Sequence, residues 1–127
     1  MKCNNITILG DPRTKKNSSR IIWVKGFPKI IPSKAFVQYQ KDCGWQLRKN
    51  IVIEIDYPIN LKCVYYMKTK RKVDLTNLNS SICDILVYYK VIIDDNSKIV
   101  VSMDGSRVRY DKSNPRVEIE ILEVHNE

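Results

Sequence analysis

Four aspartates crowd the most hydrophobic third of this chain: Asp74, Asp84 and the adjacent pair Asp94 and Asp95, within RKVDLTNLNSSICDILVYYKVIIDDNSK. Clustered carboxylates are hard oxygen donors that suit Mg²⁺. The chain around them carries a formal charge of +8, so its field attracts polyanions, and nucleic acid is the leading partner class. Acids inside a basic surface are what a metal-dependent nuclease requires. The cations hold phosphodiester while the carboxylates hold the metal. His125 is the only histidine and lies near the end, which argues against His-based nuclease chemistry and Cys–His nucleophilic catalysis. Cys3, Cys43, Cys63 and Cys83 lack the paired spacing of a zinc site and read as buried or idle thiols.

At 100° per residue, Asp74, Asn77, Ser81 and Asp84 fall within about 80° of one another, beside the apolar arc Leu75, Leu78, Ile82, Ile85, Leu86 and Tyr89. Asp74 also stands where a helix N-cap belongs. Ser81, taken alone, reads as part of a solvated face. Ten helical residues separate Asp74 from Asp84 by about 15 Å, too far to share one ion. A strand running back from Tyr89 would carry Asp95 towards Asp74. Neighbours on a strand point opposite ways, so one of Asp94 and Asp95 is expected to reach the site and the other to cap locally. "DDNS" also suits a plain turn.

The elements that must position these groups follow from periodicity. "NNITILG" reads as an opening strand, "DPRTKKNSSR" as a basic loop, and "IIWVKGFPKII" as a hairpin turning at Lys25 and Gly26. A helix begins after Ser33, with Phe36, Tyr39, Cys43 and Leu47 on one face and Gly44 weakening it. "IVIEI" and "LKCVYYMK" read as strands with a turn marked by Pro58 and Asn60, and "VIID" as a short strand. "SKIVVSM", a turn at Asp104 and Gly105, and "RVEIEIL" complete the chain. The result is α+β: one domain over residues 1–127, with a single mixed sheet of about four to six strands and two main helices packed on it.

No apolar run approaches the roughly 18 residues that cross a bilayer, and no secretory h-region is evident; a cytoplasmic protein with no membrane partner is expected. The basic residues Lys15, Lys16, Arg20, Lys70, Arg71 and Lys72, with Asn17, flank the acids and are the candidate DNA contacts. Trp23, Trp45, Tyr65, Tyr66, Tyr88 and Tyr89 include at most one or two that would stack on bases; packing accounts for the rest.

The run "VDLTNLNSSICDIL" followed by "IIDDNSKI" resembles the RusA-type Holliday junction resolvases, small endonucleases common in phages and prophages; the basic "KKNS" also fits. The resemblance spans residues 8–122 and is sharpest over 73–98. It implies a homodimer that nicks opposed strands of a four-way DNA junction with Mg²⁺ or Mn²⁺. It places catalytic aspartates at Asp74, Asp84, Asp94 and Asp95, with metal on Asp74, Asp95 and Asp94, and a supporting asparagine at Asn77. Two positions depart from the family pattern: Thr76 stands where a second aspartate is expected, and Ser80 where a lysine assists catalysis. A hydroxyl is a poorer Mg²⁺ ligand than a carboxylate. The alternative is therefore a catalytically weak or inactive DNA-binding or regulatory protein on the same scaffold. A third reading is a basic interaction module whose acids only cap helices and turns.

Overall fold

A computed structural model describes residues 2–15, 19–49 and 54–125. Its elements are β1 (Cys3–Leu9), β2 (Ser19–Val24), β3 (Phe27–Pro32), α1 (Lys34–Leu47), β4 (Ile59–Met67), α2 (Leu75–Tyr88), β5 (Val100–Ser102), β6 (Arg107–Tyr110) and β7 (Arg116–Glu123). This is an α+β arrangement with two helices and a mixed sheet. β7 lies between β1 and β4, antiparallel to both, while β5 and β6 both pair with β4 in parallel. The hairpin β2–β3 stands apart as a two-stranded ribbon of its own.

Alternation decides which face of the sheet is covered. Ile6 and Ile8, Leu61, Cys63, Tyr65 and Met67, and Val117, Ile119 and Ile121 point inward to one core, where they meet Phe36, Tyr39, Cys43 and Leu47 from α1 and Leu78, Ile82, Ile85 and Leu86 from α2. Burying each such large side chain contributes about 1.5–3 kcal/mol. Ser33 caps α1, its hydroxyl accepting the Phe36 N–H at 3.1 Å. Gly44 permits the close approach of the helices: a Cβ there would lie 2.4 Å from the Tyr89 ring. The hairpin turns at Lys25 (φ 52°) and Gly26 (φ 81°), the positive pair of a two-residue turn matched to strand twist.

Three expectations change. Asn60 lies within β4 rather than in a turn, and its carboxamide holds the Asp104 backbone, accepting its N–H at 2.9 Å and donating to its C=O at 3.2 Å. The turn at Asp104 and Gly105 does not reverse the chain: β6, not foreseen from the sequence, continues parallel to β4 beyond β5. Ser106 spans the break, its Oγ accepting the Cys63 N–H at 3.0 Å. Among the described residues "VIID" pairs through a single bridge, Ile92 to Ile55. Val91 and Ile92 are buried as a strand's residues would be. The expected strand "IVIEI" otherwise lies outside the described residues at 51–53.

The four cysteines are free, Cys3 exposed and the others buried. Burial pushes the Cys43, Cys63 and Cys83 thiols up to about 12, so the reactive thiolate is scarce at neutral pH. Titration of the native protein with a thiol reagent at pH 8 is expected to modify Cys3 rapidly and the other three only after denaturation.

Candidate active site on the polar stripe of α2

The acidic segment is organised by helix α2. Asp74 sits at its N-cap in extended conformation (φ −86°, ψ 125°), yet its side chain makes no capping bond. One carboxylate oxygen accepts instead from the Asn77 amide at 3.2 Å. The capping position predicted for Asp74 is therefore correct, while the carboxylate is turned away from the helix N–H groups and held by the first turn's asparagine. Helix rotation is fixed from below, where the buried Tyr65 hydroxyl donates to Asn79 Oδ1 at 2.8 Å.

With that rotation, Asn77, Ser80, Ser81 and Asp84 face a cleft of about 410 Å³, opposite Ile30, Ile31 and Pro32 of β3, with Lys15 also on its lining. Ser81 departs from the solvated-face expectation. It is 3% exposed, and its hydroxyl accepts the Lys15 backbone N–H at 2.9 Å, fastening the basic loop to the helix. Thr76 and Ser80 are exposed, Ser80 within the cleft.

The acidic pair divides its work. Asp94 accepts the Asp95 N–H at 2.7 Å and the Asn96 side-chain amide at 3.0 Å, and the backbone bond from Asp95 holds its carboxyl below the usual carboxylate range. Asp94 is thus the local capping member. Asp95 lends its negative charge, with that of Asp84, to the forces that raise the Cys83 thiol after burial. Among the described residues, no three His, Cys, Asp or Glu side chains converge into a metal cage. Mg²⁺ does not demand one, because it commonly takes one or two carboxylates and completes its shell with water and substrate phosphate. The oxygen donors present are chemically suited to it.

The cationic candidates fall into different settings. Lys15, Arg20, Lys70 and Lys72 are exposed, and the Lys70 ammonium lies 5.1 Å from the Tyr110 ring centre. Lys16 and Asn17 lie outside the described residues. Arg71 is engaged internally, 3.2 Å from Asp11, which also pairs with Arg13 at 3.6 Å. Sequence reasoning missed Asp11 altogether. Its other oxygen accepts the Lys68 N–H at 2.9 Å, so one carboxylate ties the basic loop to the segment leading into α2. A lone acid in a basic loop was the available signal.

The family profile Endodeoxyribonuclease RusA matches residues 9–122, nearly the whole chain. The chain belongs to the RusA endodeoxyribonuclease family. Among curated proteins, none gives a significant match. Membership brings nuclease activity and branched-DNA binding at the level of the family, and the matched span includes the cleft, the acidic pair and the Asp11 anchor. No helix among the described residues is long and apolar enough to cross a membrane.

The anchor can be tested without DNA. Both guanidinium groups on Asp11 are about two-fifths exposed, so their ion pairs are discounted by solvent screening. Asp11→Asn, which keeps an acceptor for Lys68, is expected to cost under about 1 kcal/mol, and Asp11→Ala about 2 kcal/mol, measured by urea denaturation.

Proposed function

We propose that this protein is a divalent-metal-dependent, structure-selective endodeoxyribonuclease that resolves four-way DNA junctions by paired nicks, acting as a homodimer. The observation that carries the reading is the polar stripe of α2 opening onto one cleft beside the anchored basic loop in a chain of the RusA family. A two-fold dimer would present equivalent sites to equivalent strands of a junction.

In this reading Asp74 and Asp95 hold Mg²⁺ or Mn²⁺. The ion, when bound, activates water and offsets the charge that develops on the scissile phosphate. Asn77 keeps one Asp74 oxygen directed, leaving the other for the ion. Asp94 fixes the turn that presents Asp95, and Asp84 adds negative potential at the cleft it lines. Lys15, Lys70, Lys72 and Arg20 draw in the phosphodiester backbone, and Lys16 and Asn17 are further candidate contacts by residue type. Arg71 contributes mainly by holding the loop. Phosphate contacts of this kind set position more than sequence preference.

Wild-type protein is expected to nick synthetic four-way junctions with Mg²⁺ or Mn²⁺. Asp74→Asn or Asp95→Asn should lower the rate by about 100-fold or more while junction binding, read by gel shift, persists. A wild-type protein that binds junctions and never cuts them would defeat the nuclease reading.

The observation favouring a weak or silent nuclease is the hydroxyl at Thr76 and at Ser80, where the family resemblance has aspartate and lysine. Both side chains are exposed, so the family residues fit without repacking, and an aspartate in the first turn of α2 is favoured by the helix dipole. Thr76→Asp combined with Ser80→Lys is expected to raise junction cleavage about tenfold or more, measured as nicked product per minute. No gain would show that these two positions do not limit activity.

A further inference from the structure

The ribbon β2–β3 exposes more apolar surface than its position requires. Ile21, Trp23, Phe27 and Ile30 are 65%, 71%, 74% and 73% exposed. The register pairs Ile21 with Ile30 and Trp23 with Pro28. Cross-strand partners share a face and successive residues alternate. One face of the ribbon is therefore a continuous uncharged strip of Ile21, Trp23, Pro28 and Ile30. Its lower end runs into the candidate site, because Ile30 also lines the cleft opposite Asn77 and Asp84. Trp45, the other tryptophan, has the Arg48 guanidinium 5.1 Å from its ring centre, whereas Trp23 has no ring partner among the described residues.

Charge selects the occupant. From residue 19 to residue 32 the ribbon carries Arg20, Lys25 and Lys29 and no acid. In the same register Arg20 and Lys29 fall on the opposite face and Lys25 at the turn, so cations and no acid flank the strip. A nucleic acid supplies both complements at once, phosphates for the cations and flat base faces for the apolar strip. Only two strands wide, with about 5 Å between them, the ribbon lets long cationic side chains reach round its edges. Fully paired duplex keeps its base faces stacked inside; a branch point exposes them. We propose that the uncharged face of the β2–β3 ribbon, centred on Trp23, is a stacking platform for bases unpaired or unstacked at a DNA branch, and that it leads the strand into the α2 cleft. The proposal rests on the nuclease reading and deepens it: the protein would recognise the open base faces of a branch in addition to its backbone charge.

The test uses Trp45→Phe protein, in which Trp23 is the sole tryptophan, in EDTA. Labelled DNA anisotropy reports binding, and tryptophan emission reports stacking. A four-way junction with unpaired bases at its centre is expected to quench Trp23 emission, and a duplex whose ends are capped by non-nucleotide linkers to leave it unchanged. In otherwise wild-type protein, Trp23→Ser is expected to weaken junction binding about ten- to a hundredfold and capped-duplex binding by less than about threefold. Ile21→Ser should follow the same pattern. Junction binding with unaltered Trp23 emission overturns the platform and leaves the nuclease reading standing. Sedimentation showing that Trp23→Ser turns a dimer into a monomer assigns the face to a second copy and overturns it as well. A wild-type protein that binds no branched DNA fails the anisotropy arm and overturns both readings.

Discussion

Everything at the candidate site depends on how helix α2 is rolled against the sheet. Leu78, Ile82, Ile85 and Leu86 are all at most 2% exposed, and the Tyr65–Asn79 bond locks the same orientation from a buried hydroxyl. Turning the helix by one residue, about 100°, would expose part of that arc and drive a carboxylate towards the core, where an unpaired charge costs several kcal/mol. The hydrophobic effect thus sets the direction of groups that are not hydrophobic. Asn77, Ser80 and Asp84 face the cleft because their neighbours cannot.

Electrostatics in this protein works at two ranges. The net positive charge is a long-range property that gathers polyanions and needs no particular geometry. The acids work over a few ångströms: Asp11 binds the loop to the approach of α2, Asp94 builds a turn, and Asp84 lines the cleft. The basic loop is held on α2 by Ser81 and on the segment before it by Asp11. Lys15 is thereby stationed on the cleft that Asp84 also lines. The two-stranded ribbon contributes the apolar wall of the cleft.

Local chemistry was legible in the chain. The Ser33 cap, the inward alternation of β4 and β7, the reversal at Lys25 and Gly26, and the span of α2 each depend on residues a few positions apart, whose preferences are intrinsic. Gly44 illustrates the limit. Taken alone it weakens a helix; in the fold its missing Cβ admits Tyr89 from the other helix. The apolar "VIID" likewise signalled burial correctly, and among the described residues it pairs only at Ile92 with Ile55.

The sequence by itself determined the fold class, the starts of both helices, the acidic cluster within a basic chain, and the residues that carry the family resemblance. Tertiary structure alone decided that Ser81 is buried against Lys15, that Asp11 gathers Lys68, Arg13 and Arg71, that β5 and β6 share one edge of β4, and that Ile30 stands across the cleft from Asp84. The reason is separation along the chain. The Lys15–Ser81 bond joins positions 66 residues apart and the Lys68–Asp11 bond positions 57 apart; neither end carries a local preference that names the other. Such pairs form only after the apolar arcs have fixed where each segment lies.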